Sequence, residues 1–152
     1  MAYLLVKAAV VNMSTIICIA LLLIGAIDDL KTKTISMWIP AIGIMSGIIL
    51  FFFAENKQEI IGGCILGIIM FVISYVVKDF GTGDGAMILM TGLLKGMNIC
   101  LESLIISFFI ASVSGGIIIL LKKKKEKLFL PFIPFLLIGV VVIESANIVA
   151  LL

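Results

Sequence analysis

Two stretches of this chain place carboxylates where the surrounding sequence offers little to solvate them. One is Asp28-Asp29, at the end of a long apolar run; the other is Asp84, inside FGTGDGAMILM at 80–90. Two facing carboxylates share a proton, because like charges about 3 Å apart do not both ionise. One then acts as general base on a water while its partner acts as general acid on a carbonyl. That chemistry needs neither histidine nor metal. The chain has no histidine and no arginine, and Cys18, Cys64 and Cys100 stand alone in separate apolar runs without a CxxC pair. A histidine-based triad, a zinc ribbon and a redox pair are thereby excluded, and no cofactor or metal is expected. GTGDGA half-matches a dinucleotide fingerprint, but no βαβ unit surrounds it, and no GK[ST] follows for a P-loop. Gly81 and Gly83 flank Thr82 just before Asp84. Glycine there permits positive φ and close backbone approach, so a substrate backbone could lie beside the acid. On the residues alone, Asp84 reads equally well as a helix N-cap after a glycine turn.

The elements that position these acids must lie in lipid. Of 152 residues, 63% are hydrophobic and 13% charged, and the mean hydropathy is +1.38. Soluble domains are close to half apolar and a quarter charged. The expected fold class is all-α: a polytopic membrane protein of about six transmembrane helices in one bundle, with 1–152 forming a single domain. Apolar runs of spanning character cover 3–27, 37–53, 59–77, 85–94, 99–121 and 129–152; about 20 residues cross the hydrocarbon. The fourth run is short, and Gly92, Gly96 and Asn98 offer a turn after it. With six crossings, the KKKKEK run at 122–127 shares a side with Lys31, Lys33 and Lys78, leaving Lys7, Lys57 and Lys95 opposite. The positive-inside rule then puts the first group in the cytoplasm and both termini outside. Asp28, Asp29, Asp79 and Asp84 fall in connections on the cytoplasmic side, with Asp29 following the first span and Asp84 opening the fourth.

GTGD at 81–84 is a GxGD motif. DLKTKTIS from Asp29 resembles the segment after the first catalytic aspartate of type IV prepilin peptidases, and LPFIPFLLIG at 130–139 is similar to the proline-containing start of that family's last helix. The three occur in the family's order and spacing, covering the chain from the end of the first span onward. Presenilin-type GxGD proteases share the acid motif but are larger and carry the first aspartate within a helix after Tyr.

The resemblance implies an intramembrane aspartic endopeptidase that removes the short basic leader of type IV pilin-like precursors. The catalytic pair maps onto Asp29 and Asp84, with Gly81, Thr82 and Gly83 as the backbone beside which substrate lies. Asp28, one residue off the pattern, is expected to be a supporting charge or a helix-end residue, and Lys31 a second supporting charge. Two positions depart from the family: its Ile-Pro-Asn is Ile35-Ser36-Met37 here, and the lysine often found two residues after the GxGD acid is Ala86. The zinc-binding cytoplasmic insertion of the bifunctional members is missing from the pattern, so peptidase activity without methylation is expected. The partners implied are a pilin-like precursor and the lipid bilayer, with no nucleic acid. The run at 122–127 reads first as a topology anchor and second as a contact for anionic lipid. Glu144, within the last run, is a candidate for interhelical hydrogen bonding or for reaching toward headgroups. Two other functions stay open: a small channel or transporter using the acids for a cation or proton, and a non-catalytic subunit of a secretion assembly.

Overall fold

The computed structural model describes residues 2–77, 81–121 and 131–150, with side chains from 9 to 149 within those ranges. Among the described residues every regular element is a helix: α1 Ala2–Thr32, α2 Trp38–Phe53, α3 Lys57–Val76, α4 Thr82–Leu121 and α5 Ile133–Ala150. Asp79, Lys78 and the lysine run at 122–127 lie outside the described residues. Three helices are long and apolar enough to cross a membrane, over Ala9–Thr32, Lys57–Val76 and Thr82–Leu121; Trp38–Phe53 and Ile133–Val149 are shorter apolar helices. The protein is a membrane protein, and its exterior says why. Ile16, Ile42, Phe52, Ile69, Phe109 and Leu120 are all exposed, a surface that only a lipid solvent accepts without penalty.

With lipid outside, helices gain little by burying large side chains and associate through small residues that let backbones approach. The buried residues of α2 are Pro40, Gly43 and Gly47, and those of α3 are Gly63, Gly67 and Ser74. Four-residue spacing puts each glycine pair on one helix face. A methyl group on Gly63 would collide with the carbonyl of Gly92, and one on Gly67 would come within 2.5 Å of the Leu89 Cα. Gly47 lies against Leu93. Both helices therefore pack onto the start of α4.

Helix α4 is not one straight rod. Gly96 has φ 79 and ψ −179, a conformation that side chains disfavour and glycine accepts. The Sγ of Cys100 lies 3.9 Å from the carbonyl oxygen of Ile88. Twelve residues of unbroken helix would separate these positions by about 18 Å. The chain therefore folds back at Gly96, making two arms, 82–95 and 97–121. The first arm begins three residues before the apolar run at 85–94. It is the centre of the molecule: Gly83, Gly85, Ala86, Met87, Ile88, Met90, Thr91, Gly92 and Leu94 are buried. Beside it lie Cys18, Leu22 and Ala26 of α1 and Leu136 and Val140 of α5, forming one core.

Helix α1 also departs from expectation. The apolar run ends at 27, but the helix continues to Thr32. Asp28 and Asp29 thus lie in its last turns and not in a connection. Hydropathy marks where lipid ends, whereas a helix ends where its backbone is capped. Here Lys33 adopts φ 56 and its N–H donates to the Asp29 carbonyl at 3.0 Å, a left-handed C-terminal stop.

Candidate active site

Asp29 is brought inward by the register of α1. Cys18, Leu22, Gly25, Ala26 and Asp29 are its buried positions toward this end, spaced as one helix face. Asp29 is only 3% exposed. Its carboxylate accepts the N–H of Ile133, the first residue of α5, at 3.4 Å, and the N–H of Phe132 as well. The first N–H groups of a helix have no partner within it, and the helix dipole favours an anion there. Pro131 and Pro134 bracket these two donors; Pro134, at the second helical position, lacks an N–H that the helix does not need.

Asp84 sits in the first turn of α4, half-buried. Its N–H donates to the Gly81 carbonyl at 3.0 Å, and its carboxylate turns back to accept the Gly81 N–H. A Cβ on Gly81 would lie 3.1 Å from Asp84 Oδ2, so the missing side chain leaves room for the acid itself. Gly83 is buried, and a Cβ there would come within 2.7 Å of Ile35 Cβ. A methyl on Gly85 would reach the Phe71 Cα at 2.9 Å. Neither Gly81 nor Gly83 has positive φ; among the described residues the glycine that does is Gly96. The expectation of backbone freedom at the motif is thus corrected. Its glycines serve close approach: one to the carboxylate, one to the 33–37 loop. Thr82 is exposed at the helix start and has no contact that ties it to either acid.

The structure brings Asp29 and Asp84 to one end of the bundle, near enough that the charge of one acts on the other. One turn inward from each acid, a Cβ on Gly25 would meet the Met87 side chain and lie 3.6 Å from Ile133. The helices α1, α4 and α5 therefore converge at the acids. Asp28 faces elsewhere: its Oδ2 accepts the Ser36 N–H at 2.9 Å, tying α1 to the loop that follows. Lys31 is exposed, and its charge acts on Asp28.

Sequence reasoning missed the donors of Asp29, since Phe132 and Ile133 act through their backbone. It also misplaced Lys95, expected in an outer connection. The Lys95 side chain, 4% exposed, ends the first arm of α4 and forms an ion pair with Glu144 of α5. It also donates to Thr15 Oγ1 of α1 at 2.6 Å. The signal was partial: a lone acid, Glu144, in the last apolar run, and a lone base, Lys95, directly after the fourth. A cavity of about 250 Å³ also lies at this far end, lined in part by Ser14, Glu59, Lys95 and Ile99, and not at the aspartates. No group of three or more metal-ligating side chains occurs among the described residues.

The family model described as the type IV leader peptidase family matches residues 16–120. No match was found among curated proteins or among solved structures. The matched stretch takes in both acids, the 33–37 loop, the first arm of α4 and Gly96; it stops before α5, which supplies the donors to Asp29.

Proposed function

The chain belongs to the type IV leader peptidase family, and from that premise we propose that it is an intramembrane aspartic endopeptidase. Its substrates are pilin-like precursors, and it cuts off their short basic leaders. The observation that supports this reading is that two carboxylates from different helices, Asp29 and Asp84, lie at one end of the bundle, near enough for the charge of one to act on the other. The pair holds one proton between its members. The ionised member takes a proton from a water molecule as that water's oxygen attacks the scissile carbonyl carbon. The protonated member gives its proton to the carbonyl oxygen. A gem-diol results, and the pair has exchanged roles. Collapse of the diol returns one proton to the pair, delivers another to the leaving nitrogen, and breaks the C–N bond. Backbone N–H groups hold both carboxylates in place, which is the preorganisation such proton transfers need.

Depth follows from length. The first arm of α4 has fourteen residues, about 21 Å of helix against a hydrocarbon core near 30 Å. Counting each arm of α4 as a crossing gives six, with Asp84 set slightly within the membrane edge. The lysine distribution, the 122–127 run read first as a topology anchor among them, orients that edge to the cytoplasm of a cell membrane. A precursor's basic leader stays on the same side for the same reason, and its apolar helix lies along the enzyme in the bilayer. Glu144, the acid that a proton or cation path through the bundle would use, is already neutralised by Lys95, which favours the peptidase over a transporter.

The test is cleavage of a pilin-like precursor in membranes, with product ends measured by mass. Wild type should cut once, at the junction of leader and apolar helix. Asp29→Asn and Asp84→Asn should not cut, and Asp28→Asn should. Cleavage by either dyad variant at the wild-type rate would sink the proposal; a dead Asp28→Asn beside an active Asp29→Asn would shift the register by one residue.

A further inference from the structure

The buried pair Lys95–Glu144 lies outside the chemistry just described, yet it joins the very helices that carry that chemistry. Asp84 and Lys95 are eleven residues apart on α4, and Ile133 and Glu144 are eleven residues apart on α5. Eleven residues are about 20° past three full turns, and about 16 Å along the axis. Each helix thus presents its two polar points on one stripe, with the same spacing. At one end the stripes meet through Asp29, next to Asp84 and bonded to Ile133. At the other they meet through the ion pair, which also takes Thr15 of α1. On α1, Cys18 lies eleven residues before Asp29 and is fully buried.

Between the two polar layers the contact of the first arm of α4 with α1 and α5 is mostly apolar, with Thr91 as its buried hydroxyl. Leu22, Met87, Ile88, Leu136 and Val140 are fully buried there. Apolar packing of this kind tolerates sliding or repacking. An ion pair does not: it has one partner geometry, and shifting one helix by a turn leaves a buried charge alone. Buried polar pairs are attested as devices that set register.

We propose that Lys95 and Glu144 are positioning residues, a distal clamp that fixes the axial register of α4 against α5 so that Asp84 faces Asp29. The proposal rests on the peptidase reading for its rate measurements, but not for its structural one. Lys95→Met and Glu144→Gln should each lower kcat by about 10- to 100-fold, the scale of a small misplacement of reacting groups. KM should stay within about twofold, because the substrate surface is untouched. The exchanged pair Lys95→Glu with Glu144→Lys should recover most of the lost kcat. Hydrogen exchange of the 131–137 segment should quicken in the single variants and return toward wild type in the exchanged pair, as the Ile133 N–H loses and regains Asp29. If a single variant fails to fold, the apolar pair Lys95→Met with Glu144→Met replaces it, and lowered kcat at unchanged KM is again expected. Wild-type kcat in a folded single variant or in the apolar pair would overturn the clamp, as would an exchanged pair that folds yet cleaves no better than the singles. If the wild-type protein cuts no precursor, the peptidase reading fails by itself. Exchange at 131–137 then decides the clamp alone: unchanged exchange in Lys95→Met overturns it.

Discussion

The two ends of the central arm of α4 use charge in opposite ways. At the Asp84 end, two like charges meet and are held by backbone N–H groups from Gly81, Phe132 and Ile133. At the Lys95 end, opposite charges meet side chain to side chain, and a hydroxyl from a third helix joins them. Like charges brought together keep a proton in play and lower stability. Opposite charges brought together remove the proton from play and hold the helices in register. On the proposed function and the proposed clamp, this difference would divide the molecule into a reactive end and a fastening end.

The strongest break in this comparison comes from the reactive end. Asp84→Asn or Asp29→Asn should cost at least the 10²- to 10⁴-fold typical of lost general acid–base catalysis, read as precursor cleavage in membranes. Asp84→Asn should melt no lower than wild type in detergent, since a neutral amide of the same shape replaces a half-buried carboxyl. The fastening end should behave in reverse. Lys95→Met leaves Glu144 buried without its partner, at a cost of about 3–5 kcal/mol, visible as a lowered thermal midpoint. A Lys95→Met protein as stable as wild type would erase the distinction between the ends.

Smaller effects sharpen it. Gly85→Ala places a methyl against Ser74 and Phe71 one residue from Asp84, and overpacking of this kind costs about 1–3 kcal/mol. Gly116→Ala meets nothing within 4 Å and should stabilise the second arm by up to about 1 kcal/mol. Equal midpoints for these two variants would contradict the close approach of α3 and α4. Asp28→Asn should have the least effect: its carboxylate bonds Ser36 away from the pair, so cleavage should stay within a few-fold of wild type.

Much of this arrangement could be read before any coordinates. The bounds of α2 and α3 fall within about two residues of the apolar runs, because lipid selects composition directly. A turn near Gly96 followed from glycine and asparagine in an otherwise apolar stretch. The end of α1 was not legible, since a capped backbone and not hydropathy stops it at Lys33. The partners of Asp29 were not legible either, because a backbone N–H leaves no trace in residue identity. Lys95 and Glu144 were visible as separate charges, but they stand 49 positions apart in the chain, and one sequence does not say which distant residues meet. Of the two reasons read for the motif glycines, close approach holds and positive φ does not: the sequence shows that a side chain is missing, not whether torsion or contact requires its absence.

The fold in α4 at Gly96 also imposes an order on biosynthesis. The first arm ends in Lys95 and begins beside Asp84, and protein surrounds it on nearly every side. Alone in a bilayer it would hold a charge at each end with no partner, a state that lipid opposes. Its lysine finds Thr15 in a helix already made, but its counter-charge resides in α5, which is made after α4. The arm therefore enters the membrane as half of a hairpin with the apolar second arm, and waits there incompletely neutralised. Its lodging is finished when Glu144 arrives, and the same arrival brings the N–H groups that receive Asp29. A single helix, α5, thus brings the partners of both Asp29 and Lys95, after the helices that carry them have been made.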